Sequence, residues 1–157
     1  MKILRTTYLS LGSNIDNKLA NLQHAVNLIG QNIGRVTKVS SIYKTKSWGF
    51  KSDDFFNICI QVSTNLNPEN LLERVLEIEK KLGRKRGLSD DYQDRIIDID
   101  VLLFDDDIIF YNDLKVPHPR MLDRKFVLVP LTEIAPNVKH PIAKNTILMC
   151  LQSCEDT

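Results

Sequence analysis

The sequence predicts an α+β fold with one split βαβ core, a mostly antiparallel sheet, helices packed on one face and short C-terminal additions. Two observations support this fold class. Apolar residues alternate, or form short β-branched runs, in four segments, and they recur at spacings of three and four in two others. The order of these segments is strand, helix, strand, strand, helix, strand, which is the ferredoxin-like arrangement.

The first strand and helix occupy the first 34 residues. Residues 7–11 alternate and are rich in strand formers, and residues 12–14 (Gly-Ser-Asn) suit a tight turn and a helix N-cap. A helix is therefore expected from about Ile15 to Gly30 or Gly34. Its apolar stripe has helical spacing and comprises Leu19, Leu22, Val26, Ile29 and Ile33.

Two strands are predicted next, at residues 35–43 and 56–65, because both segments are rich in β-branched residues. The connection between them, residues 44–55, is long for a hairpin and contains Trp48. It is either a functional loop or a solvated loop with aromatic anchors.

The second helix has clear boundary signals. Asn67 is an N-cap, Pro68 suits the first helical position, and Gly83 is a C-terminal stop. The apolar stripe between them comprises Leu72, Val75, Ile78 and Leu82. Glu79 falls on or beside this stripe, where either a ligand contact or a buried hydrogen-bond network would explain it.

The last part of the chain supplies the fourth strand and the C-terminal additions. Residues 96–104 form an apolar strand, residues 105–107 turn the chain, and residues 108–111 form a short partner strand. Two further helices are expected near residues 126–134 and 146–152.

Composition favours a single cytoplasmic domain spanning residues 1–157. An apolar content of 43% supplies enough material for one core. The 21 basic and 20 acidic residues nearly cancel, which argues against a protein that coats nucleic acid or an anionic membrane. The 3 cysteines form no CxxC pair, and neither a signal peptide nor a membrane-spanning segment is evident.

Asp98 and Asp100 are the strongest candidates for chemistry. Alternation along a strand places them on one face, with Ile97, Ile99 and Val101 on the other. Two neighbouring carboxylates on an apolar strand repel each other and lose hydration unless a cation lies between them. Mg²⁺ suits this position because it prefers carboxylate, water and phosphate oxygens. The alternative is a solvated acidic face on an edge strand.

Cationic residues flank the two aspartates in the sequence. Arg84 and Arg95 precede them, and His118 and Arg124 follow. Together with a carboxylate-bound metal, such groups form a cradle for polyphosphate. The alternative for Arg84 and Arg95 is a solvated charged loop. The alternative for His118 is a histidine that caps a turn. A glycine-rich phosphate loop is absent from the sequence.

Taken together, these segments resemble the 6-hydroxymethyl-7,8-dihydropterin pyrophosphokinase family over nearly the whole chain. Order and spacing agree throughout, which is more specific than any single motif. The matching blocks are residues 8–14 (YLSLGSN), 43–45 (YKT), 55–57 (FFN), 78–79 (IE), 83–86 (GRKR), 95–100 (RIIDID), 116–121 (VPHPRM) and 126–131 (FVLVPL).

The resemblance implies transfer of the β,γ-diphosphate of ATP to the hydroxymethyl group of 6-hydroxymethyl-7,8-dihydropterin, giving AMP and the pterin diphosphate in folate biosynthesis. It implies that Asp98 and Asp100 hold two Mg²⁺ ions and that Arg84 and Arg95 act with them in catalysis. The implied nucleotide-binding residues are Glu79, Arg84, Arg95, His118 and Arg124. A monomer that binds only these small molecules is expected.

The resemblance also implies a pterin pocket. Asn57 would hydrogen-bond the pterin edge, Phe55 and Phe126 would sandwich the ring, and Thr45 and Trp48 would shape the wall. An amide and aromatic rings suit a flat, conjugated heterocycle ringed with donors and acceptors.

The chain departs from the family pattern in two places. Residues 91–94 are Asp-Tyr-Gln-Asp where the family commonly has Arg-Trp-Gly-Pro, and the loop has one extra residue. Tyr92 is the candidate replacement for the tryptophan as a lid. Lys46 stands where the family usually has proline, and Trp48 aligns with a pocket leucine, so pterin contacts in this chain can differ in detail.

Three other functions remain open on the sequence. The same scaffold serves non-catalytic ligand-binding or regulatory domains. It also serves RNA-binding sheets of the RRM type, although Asp98 and Asp100 would repel a phosphate backbone there. A different metal-dependent phosphotransferase is the third alternative.

Overall fold

A computed structural model describes residues 3–46, 54–83 and 96–156. These residues contain seven strands, four α-helices and one short 3-10 helix. In chain order they are β1 (Arg5–Ser13), α1 (Lys18–Asn32), β2 (Arg35–Val39), β3 (Tyr43–Thr45), β4 (Phe55–Thr64), α2 (Pro68–Lys81), β5 (Asp98–Phe104), β6 (Ile109–Tyr111), β7 (Leu114–Val116), the 3-10 helix (Met121–Asp123), α3 (Lys125–Ile134) and α4 (Ile147–Gln152).

The main sheet has the strand order β2-β4-β1-β5, and β3 also pairs with β4. All of these pairings are antiparallel. Because β2 and β3 together occupy the place of one strand, this is the ferredoxin-like order that the sequence predicts. Strands β6 and β7 form a separate hairpin.

Two apolar clusters lie on opposite faces of the sheet. On one face α1 and α2 cover the sheet, and their contribution comprises Leu22, Ala25, Ile29, Leu71, Val75 and Ile78. The other face carries a second cluster, to which α3 and α4 contribute Val127, Leu128, Leu131, Ile134, Ile147 and Cys150. The expected packing of helices on one face thus holds for α1 and α2, whereas the C-terminal additions cover part of the opposite face.

The predicted turn at Gly12-Ser13-Asn14 is wrong. Strand β1 continues through Ser13, and Asn17 is the N-cap of α1, accepting a hydrogen bond from the Ala20 N–H at 3.1 Å. The physical reason is that Gly12 pairs with residues of both neighbouring strands. These ladder interactions outweigh the local turn preference of the glycine.

Three smaller expectations also need correction. Residues 35–43 are two strands, because between β2 and β3 the Cys59 N–H donates to the Ser40 hydroxyl at 2.9 Å and not to a backbone carbonyl. Leu19 is 46% exposed and lies outside the buried stripe of α1. In α2, Leu71 is fully buried, whereas Leu72 is only half-buried.

The boundary signals of α2 are confirmed. Asn67 Oδ1 accepts from the Asn70 N–H at 2.8 Å, and Pro68 is the first helical residue. Gly83 adopts a φ of +92°, which favours glycine after a helix. Across the described parts of the chain, every helix is too short or too polar to cross a bilayer.

Candidate active site

The central strand β1 determines the arrangement of the site. Gly12 pairs with Asn57 of β4 on one side and with Asp98 of β5 on the other. Two residues earlier, Ser10 pairs in the same way with Cys59 and Asp100. Because directly opposed residues share a face, Asn57 and both aspartates project from the same side of the sheet. The Cα atoms of Asn57 and Asp98 lie roughly 10 Å apart, because this is the width of two strand spacings.

Gly12 allows a close approach between the backbone of β1 and the side chains around it. A Cβ atom at this position would lie 2.9 Å from Asn57 Oδ1 and 3.7 Å from Phe55 Cδ1. This role of Gly12 was not predicted from the sequence. The available signal was a glycine inside a strand pattern, which often marks a close approach of the backbone to another group.

The two aspartates have the environment that alternation predicts. Asp98 and Asp100 are half-buried, whereas Ile97, Ile99 and Val101 between and beside them are buried. Within residues 3–46, 54–83 and 96–156, His, Cys, Asp and Glu side chains form no group of three or more suited to a metal. A pair of carboxylates is nevertheless a suitable donor set for Mg²⁺, since this ion keeps several waters and binds phosphate oxygens.

Glu79 lies beneath the strand that carries these aspartates. It is 5% exposed, and its Oε2 atom accepts a hydrogen bond of 2.8 Å from the Ile99 N–H. This contact agrees with a buried hydrogen-bond network, which is one of the two explanations that the sequence left open for Glu79. The nucleotide contact implied for Glu79 stays a prediction.

Three of the predicted pterin-binding residues come together on β3 and β4. Asn57 is 4% exposed, and its Nδ2 donates to Thr45 Oγ1 at 2.7 Å. Thr45 is directly opposite Phe55 across the β3–β4 pairing. An amide, a hydroxyl and an aromatic ring therefore lie side by side next to Gly12.

Phe126 stands in the first turn of α3, which packs against β4 and β3. Its ring is half-buried against the second apolar cluster, and the Arg124 guanidinium lies 5.5 Å above the ring centroid. Phe126 and Phe55 are thus on the same face of the sheet. Their pairing as a sandwich around a ligand stays a prediction.

His118 lies beside β5, since its N–H donates to the Leu102 carbonyl at 2.8 Å. Burial lowers the pKa of His118, Asp100 opposes this shift, and the cations Arg124 and Arg120 add to it. The ring Nδ1 accepts from the Arg120 N–H at 3.1 Å, so the neutral imidazole carries its proton on Nε2. His118 therefore offers a hydrogen-bond donor close to Asp100 and Arg124.

Four residues singled out from the sequence lie outside the described residues. They are Trp48 of the predicted pterin wall, Arg84 and Arg95 of the predicted phosphate cradle, and Tyr92, the candidate lid. Their roles stay predictions.

Comparison with known proteins gives a consistent result. Residues 8–136 match the family model for 7,8-dihydro-6-hydroxymethylpterin-pyrophosphokinase (HPPK). The chain is 37% identical over 145 residues to a 2-amino-4-hydroxy-6-hydroxymethyldihydropteridine pyrophosphokinase of Aquifex aeolicus, covering 92% of this chain and 89% of the relative. It is 44% identical over 134 residues to the Bacillus subtilis protein of the same name, covering 84% and 79% respectively.

The solved structures that match are similar in fold. Wild-type Plasmodium falciparum HPPK-DHPS superimposes with a TM-score of 0.80 at 18% identity. The match covers 97% of this chain and 45% of the Plasmodium chain, so the present chain spans less than half of that protein. This likeness confirms the α+β fold.

Proposed function

The chain belongs to the 7,8-dihydro-6-hydroxymethylpterin-pyrophosphokinase family, and on that basis we propose that it transfers the β,γ-diphosphate of ATP to the hydroxymethyl group of 6-hydroxymethyl-7,8-dihydropterin. The products are AMP and the pterin diphosphate, in folate biosynthesis. The observation that carries the proposal is the pairing of Gly12 with both Asn57 and Asp98. It puts a group suited to a heterocycle and a group suited to a metal on one face of three adjacent strands.

The pterin binds on the β3–β4 side of β1. Asn57 and Thr45 supply donors and acceptors for the edge of the heterocycle, and Phe55 and Phe126 supply apolar faces for its rings. Support comes from the Asn57–Thr45 hydrogen bond, which orients the amide before any ligand arrives. Trp48 is the further residue proposed for the wall of this pocket.

The triphosphate binds on the β5 side of β1. Asp98 and Asp100 would hold two Mg²⁺ ions, which neutralise phosphate charge and orient the transferred group when bound. His118 donates a hydrogen bond from Nε2 to phosphate, and Arg124 adds positive charge. Arg84 and Arg95 stabilise the charge that develops on the transferred group and the leaving oxygen.

The reaction is an in-line displacement at the β-phosphorus. The hydroxymethyl oxygen forms a bond to this phosphorus, the bond to the α-phosphate oxygen breaks, AMP leaves, and the hydroxyl proton is released. This chain contributes mainly by holding both substrates in line, because positioning accounts for much of the rate of such a reaction. The near balance of charges supports an enzyme that acts on small molecules rather than on nucleic acid or an anionic membrane. A single-domain, monomeric, cytoplasmic protein is part of the proposal.

A direct assay tests the proposal. Purified protein is incubated with ATP, Mg²⁺ and 6-hydroxymethyl-7,8-dihydropterin, and the products are identified by mass. Equal amounts of AMP and pterin diphosphate are expected. ADP in place of AMP would indicate a different phosphotransferase, and ligand binding without turnover would indicate a regulatory domain.

A further inference from the structure

Strand β5 carries both aspartates but lies at the end of the main sheet among the described residues, paired there with β1. An edge strand presents outward N–H and C=O groups that its single neighbour does not bond. The position of such a strand depends on whatever else holds that outer edge.

Glu79 bonds to the outer edge of β5 at Ile99, the residue between the two aspartates. Its carboxylate accepts the Ile99 N–H at 2.8 Å in a buried environment. The Ile99 nitrogen is bonded directly to the carbonyl carbon of Asp98, so this contact fixes the peptide plane that follows Asp98. Both carboxylates therefore project from a segment of backbone that α2 holds in place.

Burying a carboxylate at this position carries a desolvation free energy that an apolar side chain would not. Its neighbours on the buried side of α2 are Leu71, Val75 and Ile78, and an apolar side chain there would avoid the desolvation of a charge. A hydrogen bond from a backbone amide to a carboxylate is stronger than one between neutral groups. The chemistry of Glu79 thus suits it to holding one amide rather than filling space.

Ser13 makes a second contact at the start of the same segment. Its hydroxyl is fully buried, donates to the Ile96 carbonyl at 2.5 Å and accepts from Asn21 Nδ2 at 3.1 Å. Ser13 therefore fixes the backbone two residues before Asp98, and Glu79 fixes it one residue after. Both contacts approach from the side opposite the carboxylates.

We propose that Glu79 is a positioning residue for the reaction, which holds Asp98 and Asp100 in their metal-binding geometry through the Ile99 amide, with Ser13 fixing the start of the strand. The inference rests on the proposed function for its catalytic consequence. Glu79 needs only an acceptor oxygen for this role, so glutamine can replace it and methionine cannot.

The test compares Glu79→Gln and Glu79→Met with wild-type protein and with Glu77→Met, a control at an exposed position on the same helix. Amide exchange is measured without metal or substrates. Turnover is measured across Mg²⁺ and pterin concentrations. In Glu79→Met the Ile99 amide should exchange at least about tenfold faster, with β1 and β4 amides unchanged. Its kcat should fall by about 10- to 100-fold while the pterin KM stays within about twofold.

Glu77→Met should keep wild-type exchange and turnover. Glu79→Gln should keep the Ile99 amide protected, and its kcat should fall by less than about tenfold, because a neutral amide oxygen still accepts the Ile99 N–H. A larger fall in the kcat of Glu79→Gln with a protected Ile99 amide would overturn the inference, because the charge would then act directly. This variant decides the question even if Glu79→Met fails to fold. Wild-type protein that makes no pterin diphosphate would overturn the proposed function, whereas the exchange comparison supports or overturns the Glu79–Ile99 contact without any turnover.

Discussion

Asn57 donates a hydrogen bond of 2.7 Å to Thr45, and this contact joins the side chains of β4 and β3 beside the proposed pterin pocket. Asn57 is almost fully buried, so the contact fixes which way its amide faces. An amide with one donor already committed presents a defined edge to a ligand.

Thr45→Val should weaken pterin binding more than it slows turnover. The substitution keeps the shape of the side chain but removes the hydroxyl that orients Asn57. Loss of one such hydrogen bond should raise the pterin dissociation constant by about tenfold. Calorimetry with a pterin analogue measures the effect, and Thr37→Val on β2 is the matched control. Unchanged affinity would show that Asn57 is held by other groups.

Asp98→Ala and Asp100→Ala should reduce turnover by at least about 10³-fold, because each removes a proposed metal ligand. Pterin affinity should change by less than about threefold, since the proposed pterin pocket lies on the other side of β1. Steady-state kinetics and calorimetry separate the two effects. Asp106→Ala removes an exposed carboxylate of the following turn and should be neutral. Near-normal turnover in both site variants would contradict the metal assignment.

Gly12→Ala should disturb the pterin side of the site. The added Cβ would lie 2.9 Å from Asn57 Oδ1, so the amide must move against its hydrogen bond to Thr45. A destabilisation of about 1 to 3 kcal/mol and a loss of pterin affinity are expected. Gly30→Ala is the control, because the residue is helical and its Cβ would meet no atom within 4 Å apart from its chain neighbours and the backbone of its own helix. Thermal unfolding and calorimetry should therefore distinguish the two variants, and equal behaviour would refute the crowding argument.

The contact between Tyr43 and Glu133 should make stability depend on pH. The Tyr43 hydroxyl donates to Glu133 at 2.6 Å, and this bond is the main reason that the Glu133 pKa is lowered and the Tyr43 pKa is raised. A lowered carboxyl pKa contributes stability above its ordinary value of 4.5, which is lost as pH falls through the lowered value. A raised tyrosine pKa contributes stability below 10.0, which is lost as pH rises through the raised value.

Denaturation of wild-type protein and Tyr43→Phe across pH tests this expectation. The difference in the free energy of unfolding between wild type and Tyr43→Phe should be largest at pH values between the Glu133 and Tyr43 limits. It should become smaller as the pH approaches either limit. The control is Ser41→Ala, which removes only the Ser41 hydroxyl contact to Glu133 and leaves the tyrosine contact intact. A constant difference between wild type and Tyr43→Phe at all pH values would show that the tyrosine hydroxyl acts through packing alone.

Local sequence signals predicted the features that depend on neighbouring residues. The alternation around Asp98 and Asp100, the Asn67 cap and the Gly83 stop all follow from periods and caps within a few residues. Resemblance to a family then assigned roles to Asn57, Phe55 and the other site residues.

Contacts across long sequence separations were not predictable in this way. The pairing of Gly12 with Asn57 and Asp98 depends on strand register, which no local pattern around residue 12 specifies. The contacts of Glu79 with Ile99 and of Glu133 with Tyr43 likewise depend on how helices pack on the finished sheet. The turn prediction failed at Gly12 for the same reason.

Because β1 alone lies between Asn57 and Asp98, backbone pairing would set the distance between the proposed pterin site and the proposed phosphate site. Segments outside these strands can then differ in sequence, as residues 91–94 differ from the family pattern, and alter the affinity for either compound. The distance between the two proposed sites would stay constant, because changing it would require a shift in the register of β1 against β4 and β5.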